Sequence, residues 1–433
     1  MDCLKSVPVD KEGDLLQVQG LRTMMVLQSD LNYLKDPPPG YLYPGVDLIG
    51  GLDTIAAQLN ADEYDSEYDV QADILALVNS GYNFHLIYYA DIMNVFYFIR
   101  RFELVSVSSD GIALPNIYVA TDLRALANST SFEPSPVAQI DGIDVEHWLN
   151  REATLNPFDH DPDVNYNSQL YAVPDQAFNR SSFDKFFKPI MRYSGPSTVI
   201  TFANGTTFRS DNYAITNFDF TGVTDGKSFF RTFCVPSQQA SSSSVAVSAS
   251  GTASYSGSFA PTVVTSISSA APTTHNAYTP LPTNHRVEGP QFYPPPVVLA
   301  SDNSIGGFFP KEQDDLAVLT VPTFDPISAT EFENTLRTFL ATANVAAKSK
   351  LIIDLRVNGG GTVMLAYDMF KQLFPSITPY GLQDIAASPL IDAFGRVASR
   401  LVGEGEESDD DLSTLSVLDY RYPVSETLKK FKS

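Results

Sequence analysis

The chain is poor in basic residues, cysteine and histidine, and it has no long apolar run. Its 28 Lys and Arg stand against 51 Asp and Glu, a formal net charge of −23. Nucleic-acid binding draws its affinity from clustered Lys and Arg that neutralise phosphates, so this balance argues against a nucleic-acid partner. No window approaches the roughly 18 to 20 apolar residues needed to cross a bilayer, and no membrane-spanning helix is expected. The opening "MDCLKSVPVDKEGD" has no basic segment followed by an apolar one, so no signal peptide is expected on this chain. His147, His160, His275 and His285 have no metal-ligand spacing among themselves or with His85, and neither a metal nor a cofactor is expected. Cys3 and Cys234 could form one bridge or stay as two free thiols.

What is present fits a multidomain protein that mixes helix and sheet. With 433 residues and 43% hydrophobic content, the chain can bury a sizeable core and should split into two or three domains. Helical patterns run from about 12 to 80, and "DVQADILALVNS" puts Val70, Ile74, Leu77 and Val78 on one face. From about 84 the pattern turns to β, in "FHLIYYADIMNVFYFIRRFELVSVSSDGIALPNIYVA". "STVITFANGTTFRSDNYAI" reads as a hairpin with Asn204–Gly205 at its turn, both residues favouring positive φ. "SPVAQIDGIDVEHWLNREA" (135–153) gives a strand, an Asp141–Gly142 turn and a helix start with Val145, Trp148 and Leu149, the order of a PDZ-like module.

The expected organisation is a helical region over 1–103 and a PDZ-like domain over 104–236. A Ser/Thr/Pro-rich linker over 237–300 and an α/β core over 301–433 complete it. In the last region "DDLAVLTVPTF" is a strand. "SATEFENTLRTFLATANVAA" is a helix with a capping box of Ser328 and Glu331 and an apolar stripe at Phe332, Leu336, Phe339, Leu340 and Ala343. "KLIIDLRVNGGG" follows as a strand ending in three glycines, and "TVMLAYDMFKQLF" as a helix with Leu365, Met369, Phe370 and Leu373 turned inward.

A glycine turn at the carboxyl end of a parallel strand is where such folds place their sites. Phosphate binding would call for G-x-G-x-x-G or a following Gly-Lys-Ser/Thr, and Gly359–Gly361 are followed by Thr362, Val363 and Met364. A tight crossover that needs glycine for positive φ or close packing is the structural reading. The chemical reading is a set of bare N–H groups aimed at a developing oxyanion.

"KLIIDLRVNGGG" with "DMFKQLFP" resembles the core motif of the C-terminal-processing, or tail-specific, serine peptidases. More narrowly, the chain resembles the fungal relatives of the chlamydial protease-like activity factor, through stretches such as "YLKDPPPGYLYPGVDL", "NFHLIYYADI" and "AQIDGIDVEHWL". The resemblance implies a PDZ-like domain and a crotonase-like protease core that looks shortened at its C-terminus. It implies a peptide or protein substrate and hydrolysis through a serine ester. It points to the secretory pathway and, from relatives in clusters for ribosomally encoded cyclic-peptide toxins, to precursor-peptide processing.

By the same resemblance His85 takes the position of the catalytic histidine, with Asn83 and Phe84 where the family commonly has Asp-Gly. Gly360 and Gly361 align with the paired glycines that bind the oxyanion, while Asp354 and Arg356 are expected to anchor the strand and turn. A nucleophile is not identified, because Ser388, Ser399 and Ser413 lie in helical or acidic surroundings without a small-residue elbow. Two functions stay open on the sequence: a serine endopeptidase, and an inactive peptide-binding or interaction protein.

Overall fold

A computed structural model describes residues 1–128, 132–155, 157, 159–178, 188–190, 193–235, 293–379 and 388–403. It divides into two compact units, the first taking Met1–Tyr171, Phe187–Ser250 and Leu382–Ser433, the second Ala172–Phe186 and Gly251–Gly381.

The first unit opens with helices α1 (Asp2–Lys5), α2 (Lys11–Met25), α3 (Leu31–Lys35), α4 (Leu48–Asn60) and α5 (Glu67–Asn79). Three of them start where the sequence supplies a cap: Asp10 accepts from the Gly13 N–H, Asp47 from Gly50 and Ser66 from Asp69. Their shared core buries Val18, Leu52, Ile55, Leu59, Val70, Ile74 and Val78, each worth ~1.5–3 kcal/mol when taken from water. Leu77 sits half-buried at its rim. Asp14 on α2 and Glu67 on α5 are also buried, and the Gln71 Nε2 donates to Asp14 Oδ1 at 3.2 Å and to Glu67 Oε1 at 2.8 Å. Burial, with the Glu67 carboxylate next to it, pushes the Asp14 carboxyl up to about 8.

The β pattern expected from residue 84 resolves differently. Tyr88, Ala90 and Ile92 alternate with the exposed Ile87, Tyr89 and Asp91, a strand-like alternation that packs directly onto the helical core. A 3-10 turn covers Asp91–Val95, and the first strand begins only at β1 (Tyr97–Arg100). Period-two burial needs an extended chain on an apolar surface, and helices supply that surface here without a strand partner.

β2 (Leu104–Val107) and β3 (Asn116–Val119) form a two-stranded ribbon, followed by α6 (Ala120–Asn128). Then come β4 (Val137–Ile140), β5 (Ile143–Asp144), α7 (Val145–Leu155) and α8 (Pro162–Asn167). The chain gives α9 (Val173–Ala177) to the second unit and returns through β6 (Lys188–Ile190), β7 (Ser197–Phe202), β8 (Thr207–Ile215) and α10 (Gly226–Phe229).

The sheet runs β5-β4-β7-β8-β1-β6 and is antiparallel at every pairing. β1 belongs to it, so the sheet starts ahead of the boundary expected at 104. Asp141 and Gly142 both have positive φ, 51° and 76°, the hairpin geometry that Asp-Gly favours. Val145, Trp148 and Leu149 of α7 are buried with Ile140 and Ile200 of the sheet. A buried Arg100–Glu152 pair at 2.9 Å ties β1 to α7. At the other hairpin only Gly205 is left-handed, with φ 84°; Asn204 is not, and its Oδ1 accepts from the Thr206 N–H. A longer loop closed by one left-handed glycine replaces the expected two-residue turn.

The sheet of the second unit starts with β9 (Pro296–Leu299), so the expected linker ends before 296: two β-branched valines suffice for an edge strand, and Pro at its first position forfeits no needed N–H. β10 (Gly306–Phe308), β11 (Leu316–Thr320), α11 (Ala329–Val345), β12 (Lys350–Asp354) and α12 (Val363–Leu373) follow. The sheet order is β12-β11-β10-β9, with β11 and β12 parallel across the α11 crossover. Phe332, Leu336 and Phe339 are buried against it, as are Leu365 and Met369 of α12, with Leu340, Ala343 and Leu373 packed around them. Ser328 caps α11 by accepting from the Glu331 N–H, but the Glu331 carboxylate takes the Ser301 N–H at 2.7 Å and Oγ at 2.8 Å. The capping box is half made because a loop donor reaches that carboxylate. A last helix, α13 (Pro389–Gly403), belongs to the first unit.

Candidate active site

His85 lies in a turn that follows α5, and its side chain is exposed. Tyr82 enters the turn in the left-handed region, with φ 47°, a conformation that costs a bulky residue on the order of 1 kcal/mol. Its ring stacks on Tyr43 with centroids 3.5 Å apart and planes 10° from parallel. Asn83 then folds its side chain over the next two residues. Its Oδ1 accepts the His85 N–H at 2.9 Å, and its main-chain oxygen accepts the Leu86 N–H at 3.0 Å. The Asn83 Nδ2 donates to Asp30 Oδ2 at 2.9 Å. Phe84 meets the imidazole edge to face, with centroids 5.4 Å apart. A solvent-facing imidazole on a turn bound at its backbone can exchange protons with a reacting group.

The glycine turn stands at the carboxyl end of β12. Asp354 is buried there, and Arg356 returns to it with Nε on Oδ1 at 2.9 Å and Nη2 on Oδ2 at 2.7 Å. Burial by itself raises this carboxyl; the fork of the Arg356 guanidinium and the Arg356 N–H outweigh it and hold it below the usual carboxylate range. These two residues anchor the strand end.

Val357 follows with φ 59°, an outlier for a β-branched residue. Asn358 donates from Nδ2 to the Val321 carbonyl at 2.7 Å, and its Oδ1 accepts the Gly360 N–H at 2.7 Å.

The three glycines differ in what they do. A Cβ on Gly359 would meet open space. Gly360 has φ 95°, and its N–H is committed to Asn358. Gly361 has φ 134°, and a Cβ there would lie 2.2 Å from the Phe324 carbonyl carbon. Gly361 forms a parallel bridge with Phe324: the Phe324 N–H donates to the Gly360 oxygen at 2.7 Å, and the Thr362 N–H to the Phe324 oxygen at 2.8 Å. That pattern turns the Gly361 N–H away from Phe324, and among the described residues it has no acceptor. The N-terminus of α12 begins two residues later and adds the positive end of its dipole. A free N–H beside a helix N-terminus can stabilise an oxyanion.

His85 belongs to the first unit and Gly360 and Gly361 to the second. Ser388 caps α13, its Oγ accepting the Ile391 N–H at 3.1 Å. The Ser399 side chain and Ser413 lie outside the described residues. Cys3 and Cys234 are both free. From the sequence alone, neither Asn83 nor Asn358 has a role in shaping its turn. Their signal was present, since Asn two residues ahead of a turn position is an Asx-turn signature.

Residues 97–221 match the CPAF-like PDZ domain, and residues 315–380 match peptidase family S41. Two curated relatives, the peptidase S41 family proteins phomP1′ and phomP1 of Diaporthe leptostromiformis, are each 28% identical over 376 residues, covering 84% of this chain and 52% of theirs. The peptidase S41 family protein ustP of Aspergillus flavus is 36% identical over 129 residues, 29% of this chain and 27% of its own. The chain thus spans about half the length of the first two relatives. Among solved structures, mature CPAF gives a TM-score of 0.42 at 14% identity, over 83% of this chain and 58% of that one. With a match to the CPAF-like PDZ domain followed by a match to peptidase family S41 over the strand and glycine turn, the chain is similar to peptidase family S41 over these two segments.

Proposed function

We propose that this chain supplies the general base and an oxyanion donor of a serine endopeptidase. His85 takes the proton of a serine hydroxyl as that oxygen attacks a peptide carbonyl, and returns it to the leaving amine. The Gly360–Gly361 turn receives the carbonyl oxygen as it becomes negative, through the outward Gly361 N–H. The observation that carries this reading is that N–H, unpaired among the described residues, between the Gly360 and Thr362 N–H groups that are both engaged. The substrate we propose is a ribosomally made precursor peptide. Its support is likeness to the fungal S41 proteins phomP1 and ustP.

The test uses protein expressed from the full transcript. Turnover of an unstructured polypeptide and labelling of one serine by a fluorophosphonate are both expected. His85→Ala should abolish turnover and slow labelling, and a variant that cleaves at the wild-type rate removes His85 from the mechanism. Peptide binding with neither turnover nor labelling would establish the non-catalytic, peptide-binding function instead.

A further inference from the structure

We propose that Asn83 is the positioning residue of the His85 turn and that Asp30 sets the orientation of its amide. The inference rests on the reading of His85 as the base, and it concerns how that base is held.

Asp30 is the N-cap of α3, where an aspartate ordinarily accepts a main-chain N–H from the first turn. It makes no such bond. Its Oδ2 accepts from the Asn83 Nδ2 at 2.9 Å, and its Oδ1 is buried without a partner among the described residues. A carboxylate only accepts, so it fixes which end of the amide faces it: the NH2 turns to Asp30 and Oδ1 turns to the His85 N–H. Helix α3 gives up its cap, and the histidine turn gains a tether. The same contact requires a donor at position 83. An aspartate at 83 would set two carboxylates at hydrogen-bond distance with no donor between them. Asn83 and Asp30 therefore form a matched pair, and the stack of Tyr82 on Tyr43 closes the turn from its other end.

The swap Asp30→Asn with Asn83→Asp tests this, because it reverses donor and acceptor while leaving an oxygen for the His85 N–H. Three readouts apply to wild type, N83D and the double variant: the His85 imidazole resonance, the amide exchange rates of His85 and Leu86, and the separate kcat and KM of any turnover. N83D should move the resonance, speed exchange at both amides about tenfold, and lower kcat with KM unchanged. The swap should bring all three back toward wild type. An N83D chain with wild-type resonance and exchange overturns the pairing, as does a folded swap that stays like N83D. Should N83D alone not fold, the swap decides by itself. If resonance and exchange behave as stated while His85→Ala still cleaves, the tether stands and the role of His85 as base falls.

Discussion

The histidine turn and the glycine turn use one device in two settings. Each is entered by a residue other than glycine at positive φ, Tyr82 at 47° and Val357 at 59°. In each an asparagine follows and accepts an N–H two residues on, Asn83 from His85 and Asn358 from Gly360. Each asparagine then donates to a neighbouring element, and there the two part. Asn83 reaches a side chain, the Asp30 carboxylate, whereas Asn358 reaches the Val321 main chain at the end of β11. The histidine turn is thus held by a contact that other side chains could alter. The glycine turn is built into the sheet, and Gly361 lies on the Phe324 backbone with no room for a methyl. A turn that presents a side chain tolerates adjustment, while one that presents a main-chain N–H must fix the backbone itself.

The largest break of this comparison is Gly361→Ala. The new Cβ would meet Phe324 C at 2.2 Å and Asp325 N at 2.4 Å, both main-chain atoms, at φ 134°. A loss of about 4 kcal/mol in the second unit is expected. Gly359→Ala, with nothing within 4 Å, should change stability by less than about 0.5 kcal/mol. Urea unfolding followed by hydrogen exchange over 316–373 measures both, and equal effects from the two substitutions would refute the division of labour among the glycines.

The second contrast is in pH. In the first unit, burial and Glu67 raise Asp14 to about 8, so the fold holds a proton that the unfolded chain releases near its ordinary value of ~3.9. Stability of that unit therefore falls as pH rises between about 4 and 8, and Asp14→Asn should flatten the dependence. Asp354 in the second unit is held low by Arg356 despite its burial, so its contribution is present above the ordinary carboxylate value and fades as pH falls through the lowered one. Unfolding at pH 5 and pH 8, read by Trp148 fluorescence for the first unit, checks the sign; a first unit more stable at pH 8 contradicts it.

A third measurement compares the two asparagines. Asn358→Ala removes a bond to the sheet and strands the Val321 oxygen, at a cost of about 2–3 kcal/mol. Asn83→Ala loses bonds on a more open turn and should cost about 1 kcal/mol. Matching losses in urea midpoints would mean that the two anchors are equivalent.

Local patterns made much of this architecture legible. The Asp141–Gly142 hairpin, the α5 stripe and the parallel strands around α11 follow from short-range spacing, and each stands where its residues place it. Glu331 was misread because its competing donor, Ser301, lies 30 residues away in sequence. Asp30 and Asn83 are 53 residues apart, and nothing in the local pattern of either announces the other. The alternation at Tyr88, Ala90 and Ile92 carried a true burial signal, but periodicity records which side is covered and is silent on whether a strand or a helix covers it.

The smallest effect separates the two entry residues. Both sit in the left-handed region, where asparagine is tolerated better than a β-branched or aromatic side chain. Val357 is half-buried and has no stacking partner to offset its strain, so Val357→Asn should stabilise the second unit by about 0.5–1 kcal/mol. Tyr82 is held by its stack on Tyr43, and Tyr82→Asn exchanges relief of strain for loss of that contact, for no net gain. A raised urea midpoint for V357N and an unchanged or lowered one for Y82N would place the strain in the residue at 357 and its compensation in the ring at 82. A lowered midpoint for V357N would show instead that the valine side chain contributes more to the turn than its backbone costs.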